Sequence, residues 1–201
     1  MTGGQTCALP IYLKPLGAHH QGGIVDCSIG TPFDAPPPGV VAALGSSDTE
    51  RGYPPSIGTP EFREAVAAWM SIRLGCQLDP AQEIAAAVGT KEFVVGLPHW
   101  MKLRHPDRDT VLYPAISYPS YEMGAVLAGC RAVPVPVDEN WSIRLDAVSP
   151  EDRARALLLW VNTPGNPAGG LDDLEAAAAW GRSHQVPVFS DECYSEFTWD
   201  G

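Results

Sequence analysis

Two uninterrupted apolar runs near the C-terminal end constrain this chain more than any other feature. Ala156, Leu157, Leu158, Leu159, Trp160 and Val161 lead directly into an asparagine-containing loop, and Val186, Pro187, Val188 and Phe189 run through Ser190 into Asp191. Such runs are buried on both faces, which is the condition of strands inside a parallel sheet with helices above and below. In open α/β sheets ligands lie outside the C-terminal ends of the strands, so Asp191 is the first candidate site residue. Leu171 to His184, between the loop and the second run, reads as an alanine-rich helix.

The same alternation extends upstream. Thr59, Pro60 and Glu61 form a helix start with a capping hydroxyl, a first-turn proline and a first-turn acid. Phe62, Val66, Trp69 and Ile72 or Arg73 follow at helical spacing and predict one buried face. Ile84 to Val88 reads as a strand that turns, at Gly89, Thr90, Lys91 and Glu92, into a helix reaching about Arg104, with Pro98 placed to kink it. Then come a strand from Thr110 to Tyr113, a loop with Tyr118 and Tyr121 around Pro119, a helix from Glu122 to Ala128 closed by Gly129, and a strand from Arg131 to Val137. The polar stretch from Asp138 to Arg155 has room for a short helix. Nearer the start, Val25, Cys27 and Ile29 alternate with Asp26 and Ser28 as in a half-buried strand, and Pro36 to Pro38 open a short helix ending near Ser46. Strand and helix alternating from Ile84 onward predict a three-layer αβα fold with a mostly parallel sheet.

Composition removes several functional classes. A net charge of -11, from 13 basic against 24 acidic residues without a basic cluster, leaves nothing to neutralise a nucleic-acid backbone. The five cysteines are scattered and lack a C-x-x-C pair, which argues against a disulfide framework or a zinc site and suits a reducing cytoplasm. His19 and His20 are adjacent and no second ligand pair follows, so no metal is expected. No run has the length of a transmembrane helix.

The candidate site rests on two phrases. Asn162 to Gly169 spell N-x-P-x-N-P-x-G, and Asp191 to Tyr194 spell D-E-x-Y one αβ unit later. Either alone is compatible with a turn at Asn166 or a helix cap at Asp191. In this order and spacing they resemble the fold-type I aminotransferases, which use pyridoxal phosphate, and the resemblance covers residues 19–201. An electron-sink cofactor of this kind needs a carboxylate at its pyridine nitrogen, donors at its phenolic oxygen, an aromatic group on its ring and N–H groups at its phosphate. The resemblance assigns Asp191 to the nitrogen, Asn166 and Tyr194 to the phenolic oxygen, and Tyr118 to the ring face. It assigns the turn of Gly89, Thr90 and Lys91 to the phosphate, in keeping with the free N–H groups of a helix start. Tyr53 resembles a tyrosine that reaches across a dimer interface to the neighbouring subunit's phosphate, and Gly30 a glycine whose backbone contacts the substrate carboxylate; read without the resemblance, they are interface and turn residues.

Within that family, residues 23–32, 52–65, 88–92, 118–129 and 190–194 resemble the actinobacterial-type N-succinyldiaminopimelate aminotransferases. This implies amino transfer between glutamate and N-succinyl-2-amino-6-oxopimelate in lysine and diaminopimelate synthesis, by a cytoplasmic homodimer when full length. Another amino-acid aminotransferase, a carbon–sulfur lyase or a non-catalytic pyridoxal-phosphate-binding module would use the same contacts. Two departures stand out. Ala168 replaces a threonine usual in N-P-T-G, and the lysine that links to the cofactor and moves the proton has no counterpart, since only Lys14, Lys91 and Lys102 exist. The chain is therefore expected to be an inactive N-terminal fragment: a non-native leader over residues 1–17, an N-terminal arm and part of a small domain over 18–50, and an incomplete cofactor-binding large domain over 51–201.

Overall fold

A computed structural model of the chain describes residues 15–22, 25, 30, 34–46 and 52–198. The expected strand around residues 24–29, apart from the exposed Val25, and nearly all of the expected leader fall outside them. The chain divides into two compact units, Met1–Thr59 and Pro60–Gly201. In the first, residues 15–17 form a helical turn. Helix α1 (Pro38–Gly45) starts on a proline whose missing N–H costs nothing at that position. It buries none of its side chains.

The second unit begins with α2 (Pro60–Leu74), entered at Pro60 with Glu61 in its first turn and Arg73 in its last, as the helix dipole favours. The predicted burial of one face is not found: none of its residues is buried, and Phe62, Trp69 and Ile72 are exposed. The stripe has the right spacing but lacks an apolar surface to cover it among the described residues. Polar ties hold the helix instead, Arg63 Nη1 donating to the Pro80 carbonyl at 2.7 Å and Arg73 Nη2 to Glu196 Oε2 at 2.7 Å. The predicted strand at Ile84 to Val88 is likewise absent, and Val88 is 93% exposed. A short apolar run becomes a strand only beside a partner, and no neighbouring strand reaches this one among the described residues.

From there the alternation holds. Helix α3 (Thr90–Arg104) continues through Pro98 and is followed by β1 (Thr110–Pro114), α4 (Ser120–Leu127) and β2 (Arg131–Val135). A 3-10 turn at Leu145–Ala147 and α5 (Pro150–Arg155), capped by Ser149, fill the polar connection. Then come β3 (Ala156–Asn162), α6 (Leu174–His184) and β4 (Val188–Asp191). The α6 start lies at Leu174 rather than Leu171 because Asp173 caps it, accepting the Ala176 N–H at 2.9 Å. The four strands are parallel in the order β2-β1-β3-β4.

All seven β3 residues are buried, and the strand's alternate side chains feed two cores. Leu158 and Trp160 join Val111, Tyr113, Val94, Leu97, Tyr121 and Ala125 on the face of α3 and α4. Leu159 and Val161 join Leu112, Val135, Ala177 and Val186 on the face of α6. This is the three-layer αβα arrangement, each fully buried aliphatic side chain contributing about 2 kcal/mol of transfer free energy. Helices α3 and α4 touch backbone to backbone, because a Cβ on Gly124 would lie 3.0 Å from the Val94 carbonyl oxygen and the Val95 Cα.

Candidate functional site

Parallel pairing brings the two sequence phrases side by side. In the β3–β4 register Asn162 is the partner of Asp191, so the asparagine loop and the acid leave the sheet at the same edge. Asn162 turns this adjacency into a bridge: its Nδ2 donates to the Asp191 carbonyl at 2.9 Å and its Oδ1 accepts the Asn166 N–H at 2.9 Å. The Thr163 N–H adds a second bond to the Asp191 carbonyl, at 3.1 Å. Across the loop, Asn166 Nδ2 donates to the Tyr194 hydroxyl at 3.2 Å. That contact uses one amide hydrogen of Asn166 as donor and a lone pair of Tyr194 as acceptor, so a second amide hydrogen and the phenolic proton stay available to one acceptor atom.

The Asp191 carboxylate is held at both oxygens. Tyr121 donates its hydroxyl to Oδ2 at 2.8 Å, and the Cys193 N–H donates to Oδ1 at 3.3 Å. Tyr121 is locked in place by Trp160, whose ring centroid lies 5.5 Å away and which also packs on Phe93 and Phe189. Burial, reinforced by the bond to Asp191 and its charge, holds the Tyr121 hydroxyl far above the ordinary phenol range, so it remains a donor. The Cys193 thiol is pushed up to about 11, first by burial and then by the Asp191 charge, which leaves it a neutral wall residue rather than a nucleophile.

A cavity of about 180 Å³ opens between this acid and the start of α3, lined by Thr90, Phe93, Val94, Trp160, Ser190, Asp191, Glu192 and Cys193. Gly89, the N-cap of α3, makes no side-chain cap bond, and Thr90, the first residue of the helix, lines the cavity together with Asp191. Lys91 Nζ lies 5.1 Å from the centroid of the Tyr118 ring, a cation over an aromatic face. Gly89, Thr90, Lys91, Tyr118, Asn166, Asp191 and Tyr194 thus all lie in the second unit, around the C-terminal ends of its strands. Gly30 and Tyr53 belong to the first unit, both exposed. No group of three or more metal-ligating side chains occurs among the described residues, and no described helix is long and apolar enough to cross a membrane.

Two residues here were not singled out by sequence reasoning. Tyr121 stood only as one of two aromatics around Pro119, and Asn162 only as the first letter of a loop. The sole signal for Tyr121 was its place three residues after Tyr118 at a helix start, which says nothing about the strand it will meet. The donor set fits pyridoxal phosphate: an anchored carboxylate, an amide and a phenol bonded to each other with a proton to spare on each, an aromatic ring and a helix N-terminus without a side-chain cap.

Fold and site define a parallel α/β domain with a carboxylate and a helix start lining one cavity at the C-terminal edge of its sheet. The model of class I and II aminotransferases matches residues 23–201. The 4-dedimethylamino-4-oxo-anhydrotetracycline transaminase of Streptomyces rimosus is 37% identical over 93% of this chain and 49% of its own length. LL-diaminopimelate aminotransferase of Aquifex aeolicus is 35% identical over 86% of this chain and 46% of its own. Among solved structures, a probable N-succinyldiaminopimelate aminotransferase from Thermus thermophilus superposes with a TM-score of 0.86 at 29% identity, covering 98% of this chain and 54% of that one. The chain belongs to the class I and II aminotransferase family, whose cofactor is pyridoxal phosphate. It spans about half the length of the relatives it matches.

Proposed function

We propose that this chain carries the cofactor half of an aminotransferase that moves an amino group between glutamate and N-succinyl-2-amino-6-oxopimelate, in lysine and diaminopimelate synthesis. The observation that carries the cofactor reading is the Asn162 bridge, which holds Asp191 on one side and the Asn166–Tyr194 pair on the other. When bound, pyridoxal phosphate supplies an electron sink for the bonds at the substrate's amino carbon. Asp191 keeps a proton on the pyridine nitrogen, while Asn166 and Tyr194 donate to the phenolic oxygen. Tyr118 covers a ring face, and Gly89, Thr90 and Lys91 take the phosphate through backbone N–H groups and the Thr90 hydroxyl. In a full-length cytoplasmic homodimer Tyr53 reaches the partner subunit's phosphate, and the Gly30 backbone meets the substrate carboxylate.

The two lysines among the described residues support a division between binding and turnover, Lys14 lying outside them. Lys102 Nζ is committed to the carbonyls of Pro106 and Arg108, at 3.0 and 2.7 Å, and Lys91 sits over Tyr118 in the phosphate turn. Neither is placed to link to the cofactor aldehyde, so the 201-residue chain by itself binds the cofactor without sustaining transfer. Titration with pyridoxal phosphate followed by absorbance tests this: binding weakened at least about tenfold in Asp191→Ala is expected, and binding indifferent to Asp191 sinks the reading. The substrate assignment rests on the Thermus thermophilus structure and the diaminopimelate relatives. The Streptomyces rimosus relative is named for a tetracycline-type oxo acceptor, which favours a second reading. Presenting both acceptors, with glutamate, to a longer chain containing this one decides between them.

A further inference from the structure

The asparagine loop is tied from outside by a carboxylate with no part in the proposed cofactor contacts. Asp172 is half-buried where the loop meets α6, and its Oδ1 accepts the Ile143 N–H at 2.7 Å and lies 3.2 Å from Ser142 Oγ. The Asp172 N–H donates to Thr163 Oγ1 at 3.1 Å, which ties the residue to the loop start just after Asn162. The turn it grips is built in advance: Asp138 Oδ1 accepts the N–H groups of Asn140 and Ser142, both at 2.9 Å. Loop and turn are in backbone contact, because a Cβ on Gly170 would stand 2.7 Å from both Cβ and the carbonyl oxygen of Trp141. The loop closes on itself through Gly165 N–H to the Gly170 carbonyl at 2.9 Å.

From Thr163 the chain of bonds continues through its N–H to the Asp191 carbonyl, which also accepts Asn162 Nδ2, and Asn162 Oδ1 accepts the Asn166 N–H. We infer that Asp172 is a positioning residue for the cofactor site: by joining the start of the asparagine loop at Thr163 to the 138–143 turn it sets where Asn166 stands relative to Asp191. This rests on the reading proposed above, in which those two residues grip opposite atoms of one ring. Groups that grip one rigid ring tolerate misplacement of only about 0.5 Å. Burial outweighs the hydrogen bonds and raises the Asp172 carboxyl above the usual carboxylate range, the mark of a group retained against its desolvation cost.

The test uses the 201-residue chain with Asp172→Leu, which removes every acceptor at similar volume, and Asp172→Asn, which keeps one and can donate to Ser142 Oγ. Two quantities are measured: residue-by-residue amide exchange without ligand, and the dissociation constant and induced circular dichroism of added pyridoxal phosphate. Asp172→Leu is expected to lose about tenfold or more of the Asn166 amide protection, and to weaken the cofactor about tenfold with an altered dichroic band. Asp172→Asn is expected to keep both within about twofold. Parental exchange at Asn166 together with a parental dichroic band in Asp172→Leu overturns the inference. Should that variant not fold, Ser142→Ala serves, expected to weaken the cofactor about threefold; parental values for both measurements overturn the inference there too. If the parent binds without dependence on Asp191, the site reading fails, and the exchange data still judge the positioning role.

Discussion

At the scale of single residues, Tyr121 spends its one proton on Asp191 Oδ2 from a place only 1% exposed to solvent. Tyr121→Phe leaves that oxygen short of a donor, and about 1–2 kcal/mol of stability is expected to go, read as a lower urea midpoint with an unchanged slope. Burial in the same core, and after it the nearby Glu122 charge, pushes the Tyr113 hydroxyl up to about 12. A free phenol titrates near 10, so the fold favours the protonated form. The stability this contributes is fully present below pH 10 and is lost as pH climbs towards 12. Melting temperature measured from pH 9 to 12 should fall less steeply in Tyr113→Phe. Cys193, with its thiol near 11, should react with iodoacetamide at pH 8 roughly a hundredfold more slowly than a free cysteine thiol. Mass spectrometry of the labelled peptide reports the rate.

At the scale of elements, β3 and α2 are opposites. Both present apolar residues, but β3 is covered on both faces while the α2 stripe stays open among the described residues. Leu158→Ala should therefore cost about 3 kcal/mol, whereas Ile72→Lys, at a position 82% exposed, should stay within about 0.5 kcal/mol. Denaturant unfolding of the two variants gives the comparison directly; a large loss at Ile72 would mean that α2 is covered by something in solution. The same contrast explains which elements were legible. Elements with long, one-period patterns, such as α3 and β3, stand where the spacing puts them, and α6 departs from it only at its start, which the Asp173 cap sets. Ile84 to Val88 does not, because strand formation is a property of a pair, and the run carries no information about its missing neighbour.

At the scale of the whole molecule, the asparagine loop and the D-E-x-Y strand end were legible together, since their order and spacing already imply two adjacent parallel strands. That implication extended to Asp191, Asn166 and Tyr194, which the fold brings into one connected set through Asn162. Purified 201-residue chain given glutamate and an oxoacid is expected to show no sustained amino transfer, and turnover above the rate with free pyridoxal phosphate alone would refute that expectation. The amino-acid sequence by itself determined the layer architecture, the family and the chemical types gathered at the site, because periodicity, caps and motif spacing are local quantities. Only the tertiary structure decided that Tyr121 would hold Asp191, that Asp172 would clasp the loop and that the α2 stripe would find no cover among the described residues. Those outcomes depend on which distant backbone arrives at 3 Å, a matter of strand order and register.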